Sequence, residues 1–580
     1  MCGIVGYIGR REATPILIQG LKRLEYRGYD SFGLATVGSA VEVYKKNGRI
    51  SDGEAGAAHL AGSTGIGHTR WATHGEPNDL NAHPHTDCLG RIAVVHNGVI
   101  ENYGELKRQL EERGHTFRSE TDTEVIAHLI EEHYDGDLLA AVNATLPLLR
   151  GSYAVLVIAE NTQQIVAARD ASPLVLGVGD AEVFAASDMT PLLEYTERVI
   201  FLEDGDIADL TPGGCYTIYH DGQTVERPIE LINWCVEDTR KGGFAHYMLK
   251  EIYEQPQSFY ETIRAGIDDH VREMIREADE ITLVACGTSY HTALIFKYLA
   301  EPLCGIPVRV EVGSEFKYFT PPLHGLVIAV SQSGETADTI AALKMAKARN
   351  CPTLAITNMQ GSTVTRVADE TFLMRAGPEI GVAATKSYTA QLAALMQIVN
   401  LRCEGAFDDA LSHAHLAIGD VLLQDIHEAV ALCAKAEHVF FVGRGAFYPV
   451  SMEGALKMKE ISYIHAEGYA AGELKHGPFA LLTAETPVVA ICTPGPTYDV
   501  MTSNIKEMKA RKAPIIALGA AGDTELAEIV DIFIPLPNTH FLVQVLTASV
   551  VLQLLAYHTA CTLQRDVDKP RNLAKSVTVE

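Results

Sequence analysis

The sequence predicts an α/β protein with several domains, the last two of which are related to each other. A chain of 580 residues is too long for one hydrophobic core and suggests roughly three or four compact units. Short apolar runs alternate with turn signals, as they do where strands and helices form layers. The second half repeats its pattern after about 160 residues, far beyond the period of a solenoid repeat, which indicates a duplicated domain.

The composition restricts the classes of partner. Hydrophobic residues make up 47% of the chain and charged residues 21%, which is typical of a protein that folds throughout its length. The net charge of -27 argues against nucleic acid and anionic membranes as partners. The eleven cysteines form neither a CxxC pair nor a Cys/His cluster at zinc spacing, so we predict no disulfide framework and no metal site.

Two features bear on localisation. The first residues carry no basic segment followed by a long apolar core, so we expect no secretory signal. Residues 541–563 have no charged side chain and are long enough to span a bilayer, but polar residues interrupt them and no basic or aromatic flanks mark a membrane boundary. We therefore predict a buried helix and a cytoplasmic protein.

The first 220 residues fit a layered α/β domain, to which we assign residues 2–220. The predicted strands are 92–96, 153–158, 165–168 and Val183–Ala186, with helices at 14–24 and 122–133. The pattern weakens over 221–266, where the residues 240–243, Arg-Lys-Gly-Gly, suggest a flexible joint. We predict that 221–266 is a linker.

Two parallel-sheet domains are predicted beyond the linker, over 267–408 and 428–565, followed by a tail at 566–580. The apolar run 281–285 aligns with 439–442, the run 326–330 aligns with 488–491, and the apolar helix 391–401 aligns with 553–563. Strands followed by helices in this order are typical of βαβ units.

Cys2 is a candidate nucleophile because it directly follows the initiator Met and is small enough for that Met to be removed. Removal leaves a thiol and a free α-amine on one residue, and an amine with a pKa of roughly 7.7–8.0 can act as the base for the thiol. Position alone would equally fit an ordinary cysteine.

Neighbouring motifs favour the catalytic interpretation. Residues 2–6, 25–31, 67–75, 96–98 and 119–124 together closely resemble the N-terminal-nucleophile glutaminase domain, and the resemblance covers 2–220. It implies an αββα layered fold in which Cys2 attacks glutamine while Asn97 and the Gly98 N–H stabilise the oxyanion. It also implies a glutamine pocket with Trp71 as the gate of an ammonia channel, the pocket residues being Arg27, Arg70, Thr73, His74 and Asp122. Taken singly, Asn97-Gly98 also suits a type I′ turn, and the charged residues could be surface groups.

A phosphate-binding loop is predicted at 331–336, between an apolar strand and a helix. Hydroxyl and backbone N–H groups would converge there at a helix N-terminus, through Ser331, Gln332, Ser333 and Thr336. A single Ser-x-x-Glu box is more often a helix cap, but this turn contains three hydroxyls and a Gly. The equivalent turn of the second repeat, 492–497, has two prolines and lacks the serine pair, so only the first repeat should hold phosphate.

The repeats resemble the sugar isomerase (SIS) domain, and two of them behind a glutaminase resemble the glutamine:fructose-6-phosphate aminotransferase (isomerizing) family. The resemblance implies a homodimer that uses L-glutamine and fructose 6-phosphate and needs no cofactor; no cofactor motif is present. Glu460 would move a proton between sugar C1 and C2, His476 would open the ring across a dimer interface, and Lys575 would form a Schiff base. The implied sugar contacts are Thr288, Ser289, Val382 and Lys457.

Alternatives remain at this point. Residues 453, 457 and 460 share a helix face, which is also the spacing of a solvated Glu-Lys stripe. Ala384 stands where members of the family commonly have Ser, which leaves open another ketose phosphate as the acceptor. Lys569 replaces a common Gln outside the proposed chemistry. One rival class is a sugar-phosphate-sensing regulatory protein, against which Glu460, His476 and Lys575 argue. The other is a bare glutaminase or an Asn-type synthetase fragment, against which the missing ATP motif and the predicted sugar-phosphate loop argue.

Overall fold

The computed structural model describes residues 2–232, 234, 236–318 and 322–578. The chain divides into two compact units. One reaches Thr239 and includes a short segment that begins at Ser576, and the other runs Arg240–Lys575. Antiparallel sheets build the first unit and parallel sheets build the second.

The first unit consists mainly of strands. They are β1 (Gly3–Ile8), β2 (Ser31–Val37), β3 (Val41–Asn47), β4 (Thr64–Arg70), β5 (His85–Thr86), β6 (Ile92–Ile100), β7 (Gly151–Ala159), β8 (Ile165–Asp170), β9 (Val175–Val178), β10 (Val183–Ala186), β11 (Arg198–Phe201), β12 (Asp206–Thr211), β13 (Cys215–His220), β14 (Gln223–Val225) and β15 (Glu230–Leu231). Its α-helices are α1 (Ala13–Leu24), α2 (Ile50–Gly53), α3 (Tyr103–Glu112), α4 (Glu124–His133) and α5 (Leu138–Thr145).

Two sheets stack face to face in this unit. Within the described ranges their strand orders are β15-β11-β9-β10-β1-β4-β2-β3 and β14-β13-β12-β8-β7-β6-β5. Successive side chains of β6 point to opposite faces, so Ala93 and Val95 join Ile4 between the sheets, whereas Val94 packs with Ile126 of α4 on the outer side. Helix α1 covers the other sheet through contacts with β1 and β4. The predicted αββα layering is confirmed.

The second unit alternates strands and helices. In chain order they are α6 (Tyr247–Tyr253), α7 (Gln255–Ala265), α8 (Asp269–Glu277), β16 (Ile281–Ala285), α9 (Gly287–Cys304), β17 (Val308–Val312), α10 (Gly313–Phe316), β18 (Leu326–Val330), α11 (Ala337–Ala348), β19 (Thr353–Thr357), α12 (Thr363–Val367), β20 (Glu370–Leu373), α13 (Lys386–Arg402), α14 (Asp408–Val421), α15 (His427–Cys433), β21 (His438–Gly443), α16 (Phe447–Ser462), β22 (His465–Ala470), β23 (Val488–Ile491), α17 (Tyr498–Lys509), β24 (Ile515–Ala520), α18 (Thr524–Ile529), β25 (Ile532–Leu536) and α19 (Phe541–Thr562).

The two parallel sheets have the same topology, as the repeat in the sequence predicts. Their orders are β17-β16-β18-β19-β20 and β22-β21-β23-β24-β25. Strands β16 and β21 are equivalent, as are β18 and β23, and α13 and α19 each follow the last strand. The strand order reverses next to β16 in one sheet and next to β21 in the other. A crevice forms at such a point, at the carboxyl ends of the strands, and ligands of parallel sheets usually bind in it.

The apolar helix α19 lies in the core of the second unit. It is long and apolar enough to cross a membrane, but 89% of its apolar window is buried inside the protein. Helices α16 and α14 pack against it. The described structure therefore supports the prediction of a buried core helix.

Residues 221–266 contain more regular structure than the predicted linker implies. Strands β14 and β15 belong to the first unit, and α6 and α7 belong to the second. Met248, Ile252 and Phe259 are fully buried in the core of the second unit. The division between the units falls at Thr239, next to the predicted joint at 240–243. Helices this short, with few apolar residues, gave too weak a periodicity to be recognised.

Candidate active sites

Cys2 immediately precedes β1, an interior strand of its sheet that pairs with β10 and β4. Because β1 and β4 are antiparallel and Gly3 pairs with Thr69, the start of β1 lies beside the end of β4. The Trp71 N–H donates to Cys2 Sγ at 3.3 Å, and the thiol lies 3.5 Å from the Trp71 carbonyl. Burial raises the pKa of the Cys2 thiol, although the Trp71 N–H and the Arg70 charge oppose the shift. The thiol is therefore protonated at rest and needs a base.

Arg70, His74 and Asp122 place polar side-chain atoms in the interior of the first unit. Arg70 is 3% exposed, and its Nη2 donates to the carbonyls of His74 and Gly75, the latter at 3.0 Å. Arg70 Nη1 and His74 Nδ1 are buried and have no hydrogen-bond partner among the described residues. Asp122 is also buried and accepts the Ile100 N–H at 2.8 Å. A buried guanidinium N–H with no partner is a site for an anionic group.

Asn97 and Gly98 lie inside strand β6, paired with Ala154 and Tyr153 of β7. This position rules out the type I′ turn that the Asn-Gly pair also suited. Gly98 has a φ of +134°, and a Cβ there would lie 2.0 Å from the Ser152 carbonyl oxygen. Only glycine fits this backbone. Asn97 Nδ2 donates to the Cys2 carbonyl at 3.1 Å, which fixes the amide next to the nucleophile.

Arg27 contacts the main chain of the nucleophile. Its Nε donates to the Cys2 carbonyl at 3.3 Å, and its Nη1 pairs with Asp188 at 3.1 Å, with both side chains less than a tenth exposed. Tyr26 also donates to Asp188, at 2.8 Å. These contacts place Arg27 beside the nucleophile, and its part in glutamine binding stays a prediction.

Trp71 and Thr73 lie on the segment that follows β4. The Trp71 ring is half-buried and packs edge-on against Tyr29 at 5.8 Å, while Thr73 is exposed. The ring of His74 packs edge-on against Tyr103 at 5.3 Å. The gate assigned to Trp71 stays a prediction.

The loop 331–336 connects β18 to α11, as predicted. The Ser331 hydroxyl lies 3.1 Å from Thr336 Oγ1 and accepts the Gly334 N–H at 3.1 Å, while Ser333 accepts the Glu335 N–H at 3.2 Å. Gly334 has a φ of +65°, and a Cβ there would lie 2.0 Å from Ser362 Oγ. The loop follows β18 next to β16, at the crevice between the two strands. Gln332 accepts the Asn358 N–H through its carbonyl at 3.2 Å.

A buried charge cluster lies on helix α16. Lys457 Nζ is 2.5 Å from Glu460, 3.5 Å from Glu453 and 3.1 Å from the Thr288 hydroxyl, which donates to Glu453 at 3.0 Å. Lys457 is 1% exposed, so the three residues are not a solvated stripe. Burial alone would lower the pKa of Lys457, but the two carboxylates outweigh burial and raise it. His291 Nδ1 lies 2.7 Å from the other Glu453 oxygen.

Lys575 is held in place although it lies near the end of the chain. Its side chain is 5% exposed, and Nζ forms an ion pair with Glu379 and donates to the Gly381 carbonyl at 2.8 Å. Burial opposes the charge of Glu379, but Lys575 and hydrogen bonds from Ser387 lower its pKa to about 2. The Asp568 carbonyl accepts the Val382 N–H at 3.1 Å, so the tail is also tied to the loop after β20.

The sequence did not identify Glu379 or Glu251 as part of this site. Glu251 of α6 accepts the N–H groups of Ile380 and Gly381, and burial followed by repulsion from Glu379 raises its pKa to about 7. Both glutamates lie far from Lys575 along the chain, and only the fold brings them together. No sequence motif links either glutamate to Lys575, so the sequence offered no signal that could have found them.

Ser289 and His476 lie apart from these contacts. The Ser289 hydroxyl accepts a hydrogen bond from Gln391 at 2.9 Å. His476 ends a short 3-10 helix, Ala471–His476, and is exposed. Its ring makes no hydrogen bond or ion pair with any described residue of this chain, Glu460 and Lys575 included.

Comparison with protein families agrees with the two units. The chain matches the SIS domain over residues 274–401 and 432–563 and the glutamine amidotransferase domain over residues 68–194.

Full-length relatives share about half of the sequence. Glutamine–fructose-6-phosphate aminotransferases (isomerizing) from Symbiobacterium thermophilum, Thermus thermophilus and Methanosarcina acetivorans are 49%, 48% and 47% identical, with 100% of both chains covered. Among solved structures, the C-terminal domain of glucosamine-fructose-6-phosphate aminotransferase from Francisella tularensis is 36% identical, with a TM-score of 0.54, and covers 57% of this chain and 100% of that chain.

Proposed function

The chain belongs to the glutamine–fructose-6-phosphate aminotransferase (isomerizing) family, and from this membership we propose that it converts D-fructose 6-phosphate and L-glutamine to D-glucosamine 6-phosphate and L-glutamate. The observation that carries the proposal is full-length identity of about half to enzymes named for this reaction. A glutaminase half releases ammonia, and a sugar isomerase half adds it to the sugar.

In the glutaminase half, Cys2 is the nucleophile and its own α-amine is the base. Since burial raises the pKa of the thiol, the amine must take the proton as sulfur attacks the side-chain amide. The buried Nη1 of Arg70 has no hydrogen-bond partner in the described part of the chain and suits the α-carboxylate of glutamine. Asp122 supplies the negative charge for the α-ammonium, with Thr73 and His74 beside the pocket.

Asn97 and Gly98 form the oxyanion hole in this proposal. The Asn97 amide already donates to the Cys2 carbonyl, which leaves a second N–H on the same nitrogen for the developing oxyanion. A side chain at position 98 would collide with the Ser152 carbonyl, so only glycine can present its N–H from this conformation. Preorganised donors of this kind are worth roughly 3–4 kcal/mol of barrier each.

In the sugar half, Lys575 reacts with the ketose. Its ammonium group first gives up a proton, the free amine then adds to the C2 carbonyl and water leaves. Ammonia displaces the lysine from the resulting imine, which leaves the sugar as an imine of ammonia and frees Lys575. Glu460 takes a proton from C1 and delivers it to C2, which converts the ketose imine into an aldose amine. Lys457 lies 2.5 Å from Glu460 and stabilises its carboxylate, and Thr288 orients Lys457.

The phosphate of the sugar is held by the loop 331–336. The hydroxyls of Ser331, Ser333 and Thr336 and the backbone at the start of α11 provide donors, and the helix N-terminus favours negative charge. Gln332 contributes from the same loop. Ser289 and the backbone near Val382 complete the sugar contacts at the two sides of the crevice.

We also propose a cytoplasmic homodimer. His476 is exposed in a single chain, so a role as the ring-opening acid and base requires a second chain to cover it. An imidazole can both donate and accept a proton, which suits ring opening and ring closure. Another ketose phosphate as acceptor is not favoured, because the named relatives act on fructose 6-phosphate and only Ala384 points away from it.

A coupled product assay tests the proposal. Glutamate and glucosamine 6-phosphate are measured from glutamine with and without fructose 6-phosphate, for the wild type and for Cys2→Ala. We expect equal amounts of both products that vanish in the variant. Formation of glutamate without glucosamine 6-phosphate would support the glutaminase activity and refute fructose 6-phosphate as the acceptor.

A further inference from the structure

Four side chains in the first unit converge away from the proposed active sites. They are Cys88, His115, His128 and Glu131, and one candidate ligand atom from each lies within 4.8 Å of the others. Cys88 belongs to the turn between β5 and β6, His115 to the connection between α3 and α4, and the remaining two to α4. The sequence predicts no metal site because these residues come from three segments and have no zinc spacing.

The distances fit a tetrahedral metal ion. Cys88 Sγ lies 3.5 Å from His128 Nδ1 and 3.6 Å from His115 Nδ1. Zinc bonds of about 2.3 Å to sulfur and 2.0–2.1 Å to nitrogen place tetrahedral ligand atoms about 3.3–3.6 Å apart. Glu131 Oε2 lies 3.0 Å from His115 Nδ1 and 3.2 Å from His128 Nδ1, a few tenths of an ångström closer.

The surroundings also match a metal centre. When Nδ1 of a histidine binds a metal, its Nε2–H commonly faces a carboxylate that orients the ring. Here His115 Nε2 lies 3.4 Å from Glu132, and His128 Nε2 lies 3.7 Å from Glu124. Glu124 is itself fixed by Ser119. Both imidazoles thus present Nδ1 to the cluster and Nε2 to an acid.

Charge and burial favour Zn²⁺ over harder cations. A thiolate and a carboxylate neutralise a divalent ion, and a Cys/His/His/Glu set suits zinc, whereas magnesium and calcium prefer oxygen ligands alone. The side chains of His115, His128 and Glu131 are 12%, 1% and 14% exposed. Four protein ligands leave no open position for substrate, so the role is structural.

We propose that these four residues form a structural zinc site that fastens the turn before β6 to helix α4. Strand β6 carries Asn97 and Gly98, and α4 begins two residues after Asp122. The site thus joins the strand that carries the proposed oxyanion-hole residues to the helix that follows Asp122 of the proposed glutamine pocket. It is independent of the reaction, because none of the four residues touches the proposed catalytic groups.

Metal titration of the full chain tests the proposal. Protein stripped with a chelator is titrated with Co²⁺ and with Zn²⁺ against a colorimetric competitor. We expect one ion per chain, a thiolate-to-cobalt absorption band, and a higher thermal midpoint for wild-type protein with Zn²⁺. Cys88→Ser should lose the band and His128→Ala should lose tight binding. Glu132→Gln, which removes the orienting carboxylate and its ion pair with Arg113, should weaken affinity about 10–100-fold and retain the fold.

Matched variants locate the ion. His133→Ala changes an exposed histidine of the same helix, and Cys215→Ser an exposed cysteine of the same unit, so both should bind as the wild type does. Cys2→Ala should also retain the band. No uptake by wild-type protein would overturn the proposal, as would a band that persists in Cys88→Ser or disappears in Cys2→Ala. A purely hydrogen-bonded cluster would give the first of these results.

Discussion

Replacing Lys575 with methionine leaves the Glu379 carboxylate buried without its positive partner. Lys575 and Glu379 side chains are 5% and 0% exposed, so water does not screen the pair. In the folded protein the pKa of Glu379 lies at about 2 rather than 4.5. At about 1.4 kcal/mol per pH unit, this lowering corresponds to about 3 kcal/mol, and breaking a buried ion pair typically costs roughly 3–5 kcal/mol.

The cost has a defined pH dependence. Because the folded-state pKa of Glu379 is lowered, the stabilisation is complete above the unfolded-state pKa of about 4.5 and is lost as the pH falls towards 2. The difference between wild type and Lys575→Met is therefore greatest at neutral pH and shrinks below pH 4.5.

Hydrogen exchange at the start of α13 measures this effect. Thr385 and Ser387 donate their N–H groups to Glu379, so local opening exposes them. A loss of about 3 kcal/mol makes exchange through opening roughly a hundredfold faster at pH 7. Lys506→Met, the same change at an exposed lysine, should have no effect. Equal protection in Lys575→Met and wild type at pH 7, or a difference unchanged at pH 3, would refute the reasoning.

Three further variants test other parts of the account. Gly98→Ala places a Cβ 2.0 Å from the Ser152 carbonyl, so kcat for glutamine hydrolysis should fall about 10²–10³-fold, with ammonia-dependent synthesis as the control; unchanged kcat would contradict the oxyanion role. Gly334→Ala puts a side chain on a backbone with φ of +65°, which costs about 1–2 kcal/mol. The KM for the sugar phosphate should rise roughly tenfold, while the KM for glutamine stays constant. An unchanged KM for the sugar phosphate would argue against phosphate binding by the loop 331–336. The pKa of Glu251 is raised to about 7, so the stability of the wild type should fall by most of about 3 kcal/mol as the pH rises from 4.5 through 7. Glu251→Gln should flatten this pH dependence, which thermal midpoints at pH 5 and 8 measure. An unchanged pH dependence would exclude Glu251 as its source.

The fold was largely predictable because it depends on local patterns. Buried parallel strands appear as short apolar runs, so β16, β18 and their counterparts β21 and β23 were recognised together with the duplication. The αββα layering came from family resemblance. Helices α6 and α7 were missed, since two short helices with few apolar residues leave little periodicity even though they bury Met248 and Phe259.

The sites were predictable where a motif is contiguous in the chain. Cys2, Arg70 and the loop 331–336 each belong to such a motif. Glu379 could not be predicted, because its significance comes from contact with Lys575, which lies far away in sequence. The same applies to Cys88 and His128, whose proximity results from the packing of α4 beside the turn before β6. Tertiary contact between segments of unrelated sequence is invisible to spacing rules.

Transfer of a labelled amide nitrogen shows whether the ammonia released at Cys2 reaches the sugar. Glutamine with ¹⁵N in its side-chain amide is supplied with fructose 6-phosphate. The ¹⁵N content of the glucosamine 6-phosphate formed is then measured by mass spectrometry. The account predicts ¹⁵N in the amino sugar made by the wild type, in an amount equal to the glutamate released, and none in Cys2→Ala. Release of labelled ammonia with unlabelled or absent amino sugar would contradict the claim that one chain performs both halves of the reaction.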